Sequence, residues 1–293
     1  MRNAIERLEK YILKNDLNVF DIAGMDDDGI YYKSLRPANS VNNSFSVSKS
    51  FTAAVVGAAI DRGLISLNDK VVDFFKGELP DGYDRRWNDV TLEHILIHAY
   101  GAEQGYMFQN EVIITDENWN KLIFSKPLKF NAGERMRYSN VGCYLAAQIV
   151  AKVFKKPFSD CIRELIFNPL GFKYYGIITD CDGNALAATG MVLRTEDCAK
   201  FGYMYAKGGL YGDKRILSED WVRVAATTRI RESDGRGYTL GCMWRLDNEP
   251  SYFADGAYGQ MIFIDPVKKY SVAVHSYTDT PVRALVTEIL KKG

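Results

Sequence analysis

The stretch Asn42–Gly63, "NNSFSVSKSFTAAVVGAAIDRG", sets four serines at 44, 46, 48 and 50 ahead of a long uncharged run broken near its start by Lys49. The segment from Ser46 to Arg62 reads as a helix that Gly63 closes, because glycine takes the left-handed conformation on which helices commonly end. Between Lys49 and Asp61 the helix carries no charge, so it is built for burial. The lysine at its head then has to serve one of the hydroxyls. Residues three apart on a helix share a face, with Cβ atoms roughly 5–6 Å apart, and only Ser46 precedes Lys49 by three. Ser48 and Ser50 flank the lysine and point elsewhere, and Ser44 lies before or at the helix cap.

A serine hydroxyl attacks a carbonyl only with a base in hydrogen-bond reach. The N-terminus of a helix adds free N–H groups and a partial positive charge. Both favour an oxyanion beside Ser46 and loss of a proton from Lys49. Ser-x-x-Lys also arises by chance, so a second element matters. "NAGERMRYSNVGCYLAAQIV" (131–150) places Tyr138 and Asn140 just before an apolar helix. A phenol near an ammonium ionises more easily, so Tyr138 is expected to release its proton readily and relay the serine proton. Asn140 is expected to orient substrate and hold Lys49. The plain alternative is a loop in which Tyr138 packs on the core and Ser139 or Asn140 caps the next helix.

Together, "FSVSKS" and "NAGERMRYSN" resemble the serine β-lactamase-like hydrolases: class C β-lactamases, D-alanyl-D-alanine peptidases, family VIII esterases and 6-aminohexanoate-dimer hydrolases. "DRGLISLNDKVVDFF", "TLEHILIHAYG", "GGLYGDKRILSEDWV" and "GQMIFIDPVKKYSVAV" are similar to further segments of that family, in the same order and over nearly the whole chain. The resemblance implies an acyl-enzyme at Ser46, with Lys49 helping to deprotonate it. It makes Tyr138 general base and then acid, and Asn140 the orienting residue. The family's third motif, Lys-Thr-Gly or His-x-Gly, is altered here to "ADGAYGQ". Aligning Gly256 with the motif glycine makes the backbone N–H of Ala257 the second oxyanion donor beside that of Ser46; a slip of one would move the role to Tyr258. Lys207-Gly208-Gly209 is a rival match that reads as a helix end. The missing cation weakens the β-lactamase and D-alanyl-D-alanine carboxypeptidase readings, whose substrates carry a carboxylate, and favours an esterase or amidase. Arg245 and Arg229 are the candidates to replace it. A non-catalytic penicillin- or ligand-binding sensor module is the alternative from another class.

The remaining composition is permissive. The 293 residues are 47% hydrophobic, and 37 Lys and Arg balance 37 Asp and Glu. That is enough for a large core and nothing that steers the chain to nucleic acid or an acidic membrane. No transmembrane-length apolar run is present, and "MRNAIERLEKYILKN" lacks a signal-peptide pattern, so a cytoplasmic location is expected. Five dispersed cysteines read as reduced core thiols. His94 and His98 lie one turn apart but have no third ligand, so they are read as packing and surface residues, with no metal or cofactor expected. Trp87, Tyr106, Phe108 and Trp119 read as aromatic core, with a cleft lining as the lesser option.

Strand patterns at both ends surround helical ones. "NVFDIAGMDDDGIYYKSLRP" reads as a hairpin turning at Asp28-Gly29, and "GYTLGCMWRL", "SYFADGAYGQMIFIDP" and "KKYSVAVHSYTD" read as strands. "NVGCYLAAQIVAKVF", "RTEDCAKFGYMYAKGG", "LSEDWVRVAATT" and "RALVTEILKK" read as helices, with Thr195 and Ser218 as N-caps. The expected fold is α/β (α+β), β-lactamase/transpeptidase-like: an antiparallel sheet built from N- and C-terminal segments and flanked by helices. Residues 1–65 and 181–293 form the sheet domain and 66–180 an inserted helical domain. The substrate is expected to be a small amide, ester or β-lactam.

Overall fold

The structure, a computed structural model, describes residues 1–107, 118–231, 235–245, 249–280 and 282–291. Phe108 lies outside the described residues. An eight-stranded antiparallel sheet runs in the order Gly29–Ser34, Val19–Asp26, Tyr270–Ser276, Gln260–Asp265, Tyr252–Gly256, Trp244–Arg245, Gly237–Thr239, Thr228–Arg231. The two strands nearest the N-terminus therefore add to one edge of a sheet made by the C-terminal third, as the strand patterns at the two ends of the sequence imply.

Strand alternation decides how helices cover this sheet. Ser271 and Val272 are consecutive, so they face opposite sides. A Cβ on Gly202 would lie 2.8 Å from Ser271 Cβ, which puts the helix Thr195–Ala206 on one face. Gly24 pairs with Val272, and a Cβ there would lie 2.7 Å from Met1 and 2.9 Å from Ile5, which puts the helix Arg2–Lys14 on the other. The sheet is thus covered on both faces. Gln260–Asp265, near its centre, is buried along its whole length.

Several elements are shorter than their apolar spacing predicts. "SLNDKVVDFF" holds only a 3-10 turn at Val71–Phe74, and "TLEHILIHAYG" only Leu92–Leu96. The latter opens with a Thr91–His94 capping box and soon meets His98 in a left-handed conformation (φ 57°), which a helix cannot continue through. "GYTLGCMWRL" is two strands rather than one. Thr239 N–H donates to Met243 O at 2.9 Å and Cys242 N–H to Thr239 O at 3.0 Å, closing a turn with Cys242 at φ 55°. "SYFADGAYGQMIFIDP" is a hairpin folded at Ala257–Gly259. In the first hairpin only Gly29 takes positive φ (124°), while Asp28 N–H is held by Asp26 Oδ1. Ser218 caps its helix by accepting from Trp221 N–H. The cap position before Thr195 is Arg194, because the Thr195 hydroxyl is turned to His275 Nδ1 at 2.8 Å.

The helix Ser48–Ile60 is buried from Ser48 to Ala59 and packs against Val141–Phe154. Val141–Phe154 approaches the backbone of Leu92–Leu96 so closely that a Cβ on Gly142 would sit 1.9 Å from Ile95 O. Gly142→Ala is therefore expected to destabilise the protein by about 2 kcal/mol or more, seen as a lower urea midpoint at unchanged slope.

Candidate active site

The four serines have four different partners. Ser44 Oγ lies 3.3 Å from His275 Nε2, Ser48 Oγ accepts from Met191 N–H at 3.2 Å, and Ser50 Oγ donates to Cys242 O at 3.0 Å. Those three are fully buried and tie the segment to its surroundings. Ser46 alone is partly exposed, and it alone faces Lys49, at 3.1 Å from Nζ. Ser46 sits in a 3-10 turn, Phe45–Val47, ahead of the α-helix rather than within it. The turn is set by Phe45 in the left-handed region (φ 43°), whose N–H is held by Asn43 Oδ1 at 2.9 Å. Such a conformation is costly for a bulky residue and persists only where its surroundings enforce it.

Lys49 is wholly buried and, among the described residues, has no acidic partner. Its Nζ contacts Ser46 Oγ, Asn140 Oδ1 at 2.7 Å and Ala188 O at 2.9 Å. Asn140 Nδ2 donates to Met107 O at 2.6 Å, which fixes the amide with its oxygen toward the lysine. Two of the three contacts are therefore to oxygens that can only accept. Ser46 is the one partner that can donate back, so a neutral Lys49 would keep N–H groups on Asn140 and Ala188 and turn its lone pair to the serine. Burial lowers the ammonium from its ordinary value to about 8, which brings that neutral form within reach.

The Tyr138 hydroxyl neighbours that of Ser46, which works to lower the phenol's value, and Lys49 Nζ stands 4.8 Å from its ring centroid. The expectation that the ammonium makes this phenol easier to ionise is overturned. The ring is enclosed by His98 (centroids 4.6 Å), Tyr238 (6.1 Å) and Trp244 (6.3 Å), and burial pushes its hydroxyl well above the ordinary tyrosine value. Burial penalises a phenolate as it penalises an ammonium, so the lysine is driven toward neutrality and the tyrosine stays protonated.

Gly256 brings the next strand end against this turn, since a Cβ there would lie 2.8 Å from Ser44 O. Ala257 and Tyr258 follow in the hairpin turn. Tyr258 (φ 61°) places its ring 5.2 Å from that of Phe45 and 4.2 Å from that of Tyr277. Arg245 and Arg229 do not supply the missing cation. Arg245 donates to Glu249 O and Ala226 O, and Arg229 lies 3.6 Å from Glu93. Lys207 ends its helix and pairs with Asp27. Arg236 is stacked 4.2 Å over the Trp244 ring that in turn faces Tyr138, and Arg283 lies 3.9 Å from Asp255, next to Gly256.

Sequence reasoning missed Ala188, whose role is a backbone carbonyl, whereas His98, read as a packing residue, packs in the core. His98 is buried against Tyr138 and bonds Tyr238 Oη through Nε2 at 2.8 Å, and burial holds it well below the ordinary histidine value. His94 is spent on the capping box with Thr91. Trp87 and Trp119 are buried in the core. Among the described residues no group of three His, Cys, Asp or Glu side chains could hold a metal. No described helix is long and apolar enough to cross a membrane.

The family model Beta-lactamase matches residues 25–291. The chain belongs to the Beta-lactamase family. Penicillin-binding protein 4* of Bacillus subtilis is 28% identical over 254 residues, covering 72% of this chain and 53% of its own length. This chain thus spans about half of that curated relative. Among solved structures, a putative 6-aminohexanoate-dimer hydrolase from Bacillus anthracis superposes with a TM-score of 0.82 at 19% identity, over 96% of this chain and 80% of the other. A family VIII carboxylesterase gives 0.80 at 15% identity, over 99% and 97%. The antiparallel sheet flanked by helices is the fold these Beta-lactamase-like structures share, and the family and its neighbours are hydrolases.

Proposed function

We propose that this Beta-lactamase-family protein is a serine hydrolase that forms an acyl-enzyme at Ser46 from a small amide or ester. The observation that carries the reading is the environment of Lys49: a buried amine with two fixed acceptors and one reversible partner, Ser46 Oγ. Lys49 takes the Ser46 proton as Oγ attacks the carbonyl carbon. The carbonyl oxygen becomes an oxyanion held by the backbone N–H groups of Ser46 and Ala257, each donor worth about 3 kcal/mol of barrier. Tyr138, protonated because burial holds its phenol up, delivers a proton to the leaving amine or alcohol and is reprotonated by Lys49, which holds the proton taken from Ser46. Water then attacks the ester, with Lys49 and Tyr138 again moving the proton, and the acid leaves. Asn140 orients Lys49. No metal or organic cofactor takes part in this scheme.

The test is a panel of p-nitrophenyl acetate, p-nitrophenyl butyrate, D-amino-acid amides and nitrocefin. Turnover of the esters or amides is expected, and Tyr138→Phe should lower kcat by about 10²–10³-fold, the usual scale for a lost proton-transfer group. No turnover across the panel would leave the sensor-module reading. A second reading, β-lactamase or D-amino-acid peptidase, is favoured by Arg236, a guanidinium stacked on the Trp244 ring that faces Tyr138, since those substrates carry a carboxylate. Steady nitrocefin hydrolysis outpacing ester turnover would decide for it.

A further inference from the structure

Two cysteines that the proposed chemistry does not use meet directly behind it. Cys143 Sγ and Cys242 Sγ lie 3.7 Å apart, both buried. Cys161 and Cys198 are buried and Cys181 is exposed. Cys143 is one helical turn beyond Asn140, on the same face of Val141–Phe154. Cys242 sits at φ 55° in the turn between the strands Gly237–Thr239 and Trp244–Arg245. Its carbonyl accepts the Ser50 hydroxyl, and its sulfur stands 3.5 Å from Leu96 O. The pair thus joins the helix capped by Asn140 to the turn that leads into Trp244, and Ser50 of the nucleophile helix is bonded to that turn.

We propose that Cys143 and Cys242 are an oxidisable dithiol, a modification site whose disulfide, formed by hydrogen peroxide or a related small peroxide, slows acylation at Ser46. Cys143 attacks one peroxide oxygen as the thiolate, breaking the O–O bond to give a sulfenic acid and, with one proton, water. Cys242 then attacks the sulfenic sulfur and displaces the second water. Two thiols and one peroxide become one disulfide and two waters; sulfur is oxidised and the peroxide oxygens are reduced. The Cys242 thiol and the Lys49 ammonium both favour a thiolate at Cys143, and the Cys242 thiol is held protonated, which assigns the attacking and resolving roles.

The effect on the site follows from distance. A disulfide needs its sulfurs at about 2.05 Å, so the pair must close by roughly 1.7 Å from its present contact. The movement is shared between the Asn140 helix and the Trp244 turn, which hold Lys49 and enclose Tyr138. Displacement of about 1 Å at groups that position a reaction costs up to about 10²-fold in rate. The loss of rate rests on the hydrolase reading, whereas the disulfide does not.

The experiment treats the folded protein with hydrogen peroxide, then denatures it and alkylates it with N-ethylmaleimide. The untreated chain should take a label on each of its five cysteines. The treated chain should lack two labels, with a linked Cys143–Cys242 peptide by mass spectrometry. In parallel, fluorophosphonate labelling of Ser46 should slow about tenfold or more after peroxide and recover with dithiothreitol. Cys143→Ser should label at the untreated rate whether or not peroxide is added. Full alkylation after peroxide, a different linked pair, a linked pair with unchanged labelling, or equal inhibition of Cys143→Ser would each overturn the proposal. Failure of the untreated protein to label at all would instead count against the hydrolase reading, and the thiol count would still decide the disulfide.

Discussion

Ser46→Ala is expected to abolish the covalent adduct that a fluorophosphonate leaves on the protein and to lower ester turnover by about 10⁴-fold or more, the scale seen when an activated nucleophile is removed. Intact-mass analysis reads the adduct directly. The neighbouring serines supply the control. Ser50→Ala removes a hydroxyl that donates to Cys242 O, and Ser48→Ala one that accepts from Met191 N–H. Each leaves a buried backbone group without its partner, a cost of about 1–3 kcal/mol in stability. Neither hydroxyl contacts Lys49 Nζ, so both variants should still take the adduct. Labelling that survives Ser46→Ala, or that disappears in Ser50→Ala while the fold persists, would show that the reacting oxygen has been assigned to the wrong residue.

How much of this site can be read from sequence depends on how locally each part is specified. Ser46 and Lys49 are three residues apart, so their meeting is written into the chain's own geometry, even though the serine sits in a 3-10 turn and not in the helix expected of it. Tyr138 and Asn140 come from a distant segment, and only the resemblance pairs them with the first motif; the Asn140–Lys49 contact at 2.7 Å is where the two segments meet. Ala188 leaves no trace in sequence because its contribution is a carbonyl that any residue could offer. The behaviour of Tyr138 is illegible for another reason. A neighbouring ammonium can be inferred from a motif, but the burial that outweighs it comes from His98 and from the hairpin that carries Tyr238 and Trp244, two segments far apart in the chain. The same holds for the arginines. Arg245, Arg229 and Arg236 look alike as letters, and only the folded chain shows that Arg236 is the one of the three stacked on Trp244.

Lys49 carries the second large effect, and here activity and stability should move on the same pH axis. The amine must be neutral to accept a proton from Ser46, and burial sets its value at about 8. Below that, kcat/KM should fall tenfold per pH unit; above it the profile should level off, since the Tyr138 phenol stays protonated to higher pH. Lys49→Met should lower turnover by about 10³-fold or more. Lys49→Arg should fare no better, because a guanidinium keeps its charge and never offers a lone pair. For stability, the folded amine releases its proton at lower pH than the unfolded one, whose value is near 10.5. Between these values the unfolded state binds more protons, so the wild-type protein gains stability as pH rises through that window, by about 3 kcal/mol in all. Below it both states are protonated and the folded state bears the full cost of a buried charge. Other groups titrate in the same range, so the informative quantity is the wild-type unfolding free energy minus that of Lys49→Met, measured by urea denaturation from pH 7 to 11. That difference should climb across the window and then flatten. A flat difference throughout, or one that falls with pH, would mean that the lysine is not held at a depressed value, and the proton acceptor for Ser46 would have to be sought elsewhere.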